Sequence, residues 1–325
     1  MLVPVLLFAV GFICLVKGGD WFVDGATGIA HRFHMPELLI GATVVSIGTT
    51  IPEVMVSATG AFTGGAGGSA IAYGNAIGSI ICNVSLIAAI TMAFRPGEVE
   101  RDTIKTPIAF FFVAAALYAG VAYFTGYFSR PVGLILLAIF VVYIVVCVRQ
   151  AMNSPEPAAE ESEEDGEENS LVKDILLLIL GAAVIAVGAD LLVDNGTIIA
   201  ETLGVPHTVI ALTLVALGTS LPELVTAVTA LLKGHSDLSV GNVIGANLFN
   251  LVLVTGTATT IRPFEVPCEN MIAGMNSSLV IDIPLAIGVM LIMSIPALVK
   301  GKLYRWQGIL LLCIYAAFCI FQFTS

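Results

Sequence analysis

Charge is scarce in this chain. Asp, Glu, Lys and Arg supply 11% of its 325 residues, against 58% hydrophobic residues, and the mean hydropathy is +0.99. That balance excludes an ordinary soluble domain and points to a polytopic membrane protein. Zinc-type cysteine spacing is missing too. Of the six cysteines, Cys14, Cys82, Cys147, Cys313 and Cys319 fall inside apolar segments and Cys268 in a loop. This argues against a disulfide framework or thiolate metal site and reads the cysteines as small apolar fillers. There is no basic patch and no nucleic-acid motif. Met1-Leu2-Val3-Pro4 carries no basic n-region, and the following segment shows no clear small-residue cleavage site, so the first segment is expected to be retained.

The net charge of −11 is local. Eight acids, Glu156, Glu160, Glu161, Glu163, Glu164, Asp165, Glu167 and Glu168, sit in one short stretch; removing them leaves 24 − 8 = 16 acids against 13 bases. Residues 151–170 therefore read as a disordered, self-repelling linker. The stretch lacks the spaced acidic loop of an EF-hand, leaving a weak regulatory cation site as a minor alternative. On either side, ten apolar segments are long enough to span a bilayer: 2–29, 36–62, 68–94, 104–125, 130–150, 171–200, 206–233, 237–260, 277–299 and 303–324.

The two sides repeat each other. Sliding the sequence by 170 residues aligns Gly19–Glu53 with Ala189–Glu223 without a gap, matching Asp20/Asp190, Asp24/Asp194, Pro36/Pro206, Gly48/Gly218 and Glu53/Glu223. After a three-residue difference the offset is 167, and Gly74-Asn75 matches Gly241-Asn242, Asn83 matches Asn250, and Arg95-Pro96 matches Arg262-Pro263. The chain thus reads as a first repeat over 1–150, the linker, and a second repeat over 171–325. Five spans per repeat is an odd number, so the repeats enter the membrane from opposite sides. The expected fold class is an all-α polytopic membrane protein of ten transmembrane helices in two inverted five-helix repeats. Basic residues agree: with the N-terminus outside, ten lie at cytoplasmic ends or loops and only Arg130 and Arg262 outside. Both termini are then outside and the linker cytoplasmic.

Two matched stretches carry the chemistry: Gly48-Thr49-Thr50-Ile51-Pro52-Glu53 and Gly218-Thr219-Ser220-Leu221-Pro222-Glu223. A carboxylate inside a span is a functional-site hypothesis by default. Thr49 and Glu53 share a helical face, as do Thr219 and Glu223, with Thr50 and Ser220 beside them. Each proline lacks an N–H and frees carbonyls one turn back, near Ser46 and Ala216. Asn75, Ser79 and Asn83 form a stripe in the third span; Asn242, Ala246 and Asn250 form its match in the eighth. Carboxylates, hydroxyls, amides and carbonyls are hard oxygen ligands. Simple interhelical hydrogen bonding competes with this reading for Asn75 and Asn242, less so for Asn83 and Asn250. Asp20, Asp24, Asp190 and Asp194 read as solvated helix ends or, more sharply, as cation collectors at two mouths.

These doubled motifs resemble the two α-repeats of the sodium/calcium exchanger superfamily of cation/calcium antiporters, especially its prokaryotic members. The resemblance reaches nearly the whole chain outside the linker. It implies a four-helix ion-binding core, two long sliding helices outside it, and no enzymatic activity. It implies that Glu53 and Glu223 bind calcium and also sodium. Thr49, Thr50, Ser79, Thr219 and Ser220, with the carbonyls of Ser46 and Ala216, would help form sodium sites, and Asn83 and Asn250 would complete the centre. Ala246 departs from the pattern where a serine matching Ser79 is expected. Asn250 stands where some members, including potassium-dependent ones, carry aspartate, which argues against potassium co-transport. The expected function is calcium extrusion in exchange for sodium across the plasma membrane, with calcium, sodium and the bilayer as partners, no cofactor and no obligate protein partner. A calcium/proton antiporter is the alternative, ahead of a carboxylate-dyad intramembrane enzyme or a passive channel.

Overall fold

The computed structural model describes residues 2–33, 35–63, 65–153, 171–204, 218–268, 271–272 and 274–324. Helix α1 runs Leu2–Arg32. Helix α2 starts at Glu37–Ile40, passes through a π turn at Gly41–Val45 and continues over Ser46–Thr63. Helix α3 comprises Gly65–Cys82, a π turn at Asn83–Ala88 and Ala89–Phe94. Helices α4 (Arg101–Phe124), α5 (Arg130–Asn153), α6 (Leu171–Thr202) and α7 (Leu221–Lys233) follow. Helix α8 joins Ser236–Phe249, a π turn at Asn250–Val254 and Thr255–Ile261. Helix α9 opens with a π turn at Ser278–Asp282 and runs on over Ile283–Lys300; α10 spans Arg305–Thr324. Among the described residues, nine helices are long and apolar enough to cross a membrane. The expected seventh span is described only from Gly218 onward, so Ala216 lies outside the described residues, as does most of the acidic linker.

Lipid-exposed and buried helices separate clearly. In the best membrane window of α8, 94% of residues are buried, against 22% for α1 and α6. Large apolar side chains such as Ile13, Val113, Ile179 and Trp306 face outward, as expected where the surrounding medium is hydrocarbon.

Helices α1 and α6 form a closely packed antiparallel pair. A Cβ on Gly11 would come within 2.9 Å of the Gly188 carbonyl, and one on Gly188 within 2.9 Å of the Gly11 carbonyl. Gly18 meets Gly181 and Ile185 in the same way, and Gly25 meets Leu178. Only residues without a side chain let two backbones approach this closely.

Broken helical hydrogen bonds are repaired by side chains. In the π turn of α2 the Gly41 carbonyl accepts the Ser46 hydroxyl at 2.7 Å in addition to the Ser46 backbone N–H, and the Ala42 carbonyl accepts the Tyr143 hydroxyl at 2.8 Å. Pro296 removes the donor for Ile292, whose carbonyl accepts from Gln307 Nε2 at 2.7 Å. At the helix ends, short ladders tie loops together. Strand β1 (Gly97–Glu98) pairs antiparallel with β6 (Lys302–Leu303), and β2 (Tyr127–Phe128) with β3 (Phe264–Glu265). A third ladder joins β4 (Met271–Ile272) to β5 (Met275–Asn276).

Candidate functional site

Helix α2 packs against α3 and α8, and α7 packs against the π turn of α3. Glu53 and Glu223 meet in this core, close enough for their charges to repel one another. Glu53, Glu223, Asn83 and Asn250 are all 0% exposed. Among the described residues, neither oxygen of either carboxyl has a hydrogen-bond partner, and neither do the amide oxygen and nitrogen of Asn83 and Asn250 or the hydroxyls of Thr50 and Ser220. Buried polar groups are nearly always satisfied. These orphans sit on helices that pack against one another, and together they offer hard acceptors for a polar ligand.

Local backbone geometry places these groups. Asn83 and Asn250 each open a π turn, a feature common at functional sites because it re-aims one side chain and loosens nearby carbonyls. The two glutamate stretches differ. Pro52 lies within α2, which stays helical from Ser46 to Thr63. In the other stretch Thr219 and Ser220 form a turn, Ser220 precedes the first residue of α7, and Pro222 stands in that first turn, where its missing N–H costs least.

The amides at 75 and 242 have structural partners. Asn75 uses both N–H groups, donating to the Glu53 carbonyl at 3.0 Å and the Ser57 hydroxyl at 2.9 Å. It fixes the backbone that carries Glu53. The Asn242 amide oxygen instead takes hydroxyls from the other half: Ser46 at 3.2 Å and Thr49 at 3.3 Å. The single Ser46 proton has three acceptors in reach, with the Gly41 carbonyl nearest. Thr49 also lies beside the Glu223 carboxylate, and its hydroxyl has the Ser46 carbonyl at 3.5 Å. Ser79 is buried, and Thr219 is half-buried at the edge of a cavity.

Sequence reasoning overlooked Ser57, Thr226 and Asn247. Ser57 stands four residues after Glu53 and anchors Asn75. Thr226 stands three residues after Glu223 and has a buried hydroxyl without a partner among the described residues. Helical spacing from each glutamate could have found both. Asn247, beside Ala246, donates to the Met290 sulfur at 3.3 Å and keeps a buried amide oxygen with no partner among the described residues; its counterpart in the other half is Ile80, so the duplication gave it no weight.

The set's acceptors are all oxygens, and it carries two formal negative charges at most. It suits hard cations, and its place inside a membrane-spanning bundle defines the class as a cation-handling membrane protein. Comparison with known proteins narrows this. The sequence profile of the family described as sodium/calcium exchanger protein matches residues 3–149 and 173–324. A sodium/calcium exchanger of Methanosarcina acetivorans, MaX1, is 31% identical, with 98% of each chain covered. An uncharacterized membrane protein of Methanocaldococcus jannaschii is 34% identical over 95% of this chain and 94% of its own. A solved structure of the sodium–calcium exchanger NCX_Mj, soaked with sodium and strontium, superposes with a TM-score of 0.80 at 30% identity, covering 100% of this chain and 98% of that one. The chain belongs to the sodium/calcium exchanger family, whose members are membrane transporters of cations rather than enzymes.

Proposed function

We propose that this protein is a secondary active antiporter that exchanges calcium for sodium by alternating access and serves to extrude calcium. The observation that carries the reading is the buried group of oxygens on Glu53, Glu223, Asn83, Asn250, Thr50 and Ser220 that have no partner among the described residues. Two carboxylates balance one calcium ion or two sodium ions. Occupancy by one cargo excludes the other, so the ions are exchanged rather than carried together. Ser46 and Thr49, with Ser79, Thr219 and the carbonyl of Ala216, supply further neutral oxygens for sodium. Those hydroxyls favour sodium over the proton as coupling ion, since proton carriage needs no extra ligands. The names of MaX1 and NCX_Mj, both called sodium/calcium exchangers, point the same way.

Alternating access fits two halves of inverted topology, and several contacts support that arrangement. Under the 170-residue offset Gly11 corresponds to Gly181 and Gly18 to Gly188, so the Gly11–Gly188 and Gly18–Gly181 contacts exchange places. Under the 167-residue offset β1 corresponds to β3, and each pairs with a strand that follows the fourth or ninth span, on opposite ends of the bundle. Both termini lie outside the cell membrane and the 151–170 linker inside, as the basic residues indicate. Calcium uptake into proteoliposomes, driven separately by an outward sodium gradient and by a pH gradient, tests the proposal. Uptake that follows sodium at clamped pH is expected. Uptake that ignores sodium and follows pH would make the protein a calcium/proton antiporter.

A further inference from the structure

Among the described residues, the two halves differ where α1 and α6 meet the glutamate-bearing helices. A Cβ on Gly19 of α1 would come within 2.8 Å of both Thr229 Oγ1 and Val225 Cγ1 of α7. Just beyond this seal, Lys233 at the end of α7 reaches back to α1. Its Nζ lies 2.7 Å from an Asp24 carboxylate oxygen, 3.6 Å from an Asp20 carboxylate oxygen and 3.2 Å from the Asp20 carbonyl. Lys17 adds a looser contact to Asp20 at 3.9 Å. Among the described residues, the corresponding face of the other half has no such tie. Ala189, Asp190, Asp194 and Met55, the counterparts of Gly19, Asp20, Asp24 and Val225, line a cavity of 430 Å³ that reaches Thr219 and Pro222. Among the described residues, no ion pair ties Asp190 or Asp194. The counterpart of Lys233 is Thr63 (233 − 170), which offers no charge.

We infer that Lys233 is a gating residue: its pairing with Asp20 and Asp24 holds α1 against α7 and keeps the mouth on that face shut, a tie that Asp190 and Asp194 lack among the described residues. The inference rests on the antiport reading and adds a bias between the two access states. Opening the Asp20 face requires α1 to move away from α7, and that movement separates Lys233 from both carboxylates. Among the described residues, the reverse movement on the other face breaks no such pair. The lock therefore acts on one state only. In the topology above the locked face is cytoplasmic, so Lys233 favours the outward-open state. An internal ammonium also occupies the carboxylates that would collect cations at that mouth, until the lock opens.

Removing the lock should change the balance of states rather than the ion site. The contacts are part-exposed, with side-chain exposures of 28% for Lys233, 35% for Asp20 and 54% for Asp24. Two such pairs shift a two-state equilibrium about fivefold. The test measures half-saturating calcium at each face of oriented vesicles holding the full-length protein. In Lys233→Met, calcium should half-saturate the cytoplasmic face at a concentration about fivefold lower relative to the outer face than in the unaltered protein. Lys233→Arg should restore the original ratio, which a merely structural lesion would not allow. Amide exchange on the intact protein gives a second reading: Lys233→Met should speed exchange over 17–24 and 225–233. The Asp20→Asn/Asp24→Asn double variant provides the same test should Lys233→Met misfold. An unchanged ratio in a transporting variant, or unchanged exchange in both segments, would overturn the lock. Failure of the unaltered protein to move calcium would instead overturn the antiport reading, and the exchange measurement would still judge the lock.

Discussion

Neutralising one glutamate should weaken cargo binding and strengthen the fold at the same time. Glu223 is fully buried, and neither carboxyl oxygen has a partner among the described residues. Glu223→Gln keeps the shape and removes the charge. A divalent ion about 4 Å from a unit charge gains about 8 kcal/mol at an effective dielectric constant near 20. Much of that only offsets the dehydration of the ion, and truncating one partner of a buried charge pair costs about 2–5 kcal/mol in practice. Taking about 3 kcal/mol, calcium affinity should fall about a hundredfold. Without calcium the sign reverses. The wild-type site holds two fully buried carboxyl groups without partners among the described residues; keeping such an acid either ionised or protonated at neutral pH costs free energy that an amide avoids, so the variant should be more stable by about 1–4 kcal/mol. The assays are calcium titration and thermal unfolding of purified protein, with and without calcium. Glu53→Gln should behave alike. Calcium affinity near the wild-type value in both variants would refute the shared carboxylate site. Lost affinity with an equally lowered calcium-free melting temperature would mean that the glutamates hold the fold rather than the cargo.

Other consequences are equally direct. Asn75→Ala removes two hydrogen bonds around Glu53; stability should fall by about 1–3 kcal/mol, and transport should slow while calcium binding survives, as unfolding and binding curves can check. Gly11→Val and Gly188→Val each place a side chain against a carbonyl 2.9 Å away and should destabilise the bundle by about 1–3 kcal/mol or more, with similar losses because the contact is reciprocal. Ala246→Ser restores a hydroxyl on the Asn242–Asn250 face and should raise the sodium dependence of calcium flux; an unaltered sodium dependence would remove position 246 from the site. If three sodium ions exchange for one calcium, each cycle moves one charge, worth about 2.3 kcal/mol per 100 mV. Sodium-driven flux should then respond to an imposed potential, and indifference would indicate two-for-one exchange.

Much of this candidate site was legible in the sequence because charge in hydrocarbon is so costly. Glu53 and Glu223 stood out inside apolar segments, and the duplication tied them to each other and to Asn83 and Asn250. What stayed hidden depends on tertiary contact or on conformational state. The π turns at Asn83 and Asn250 require an i→i+5 bond that no residue type specifies. Asn75 and Asn242 occupy matching positions, yet one holds its own half and the other receives hydroxyls from the opposite half; identical residues cannot announce different partners. Asp20 and Asp24 read as helix ends or mouths, while their pairing with Lys233 spans more than 200 positions. The two-residue ladders between loops are too short to leave any alternation in the sequence.

The central claim is that calcium and sodium compete for one set of oxygens. Calcium-binding isotherms of the purified protein, taken at increasing sodium with ionic strength and pH held constant, test it most directly. The apparent calcium dissociation constant should rise with at least the second power of sodium concentration. A dissociation constant indifferent to sodium, or one that responds only to pH, would contradict it.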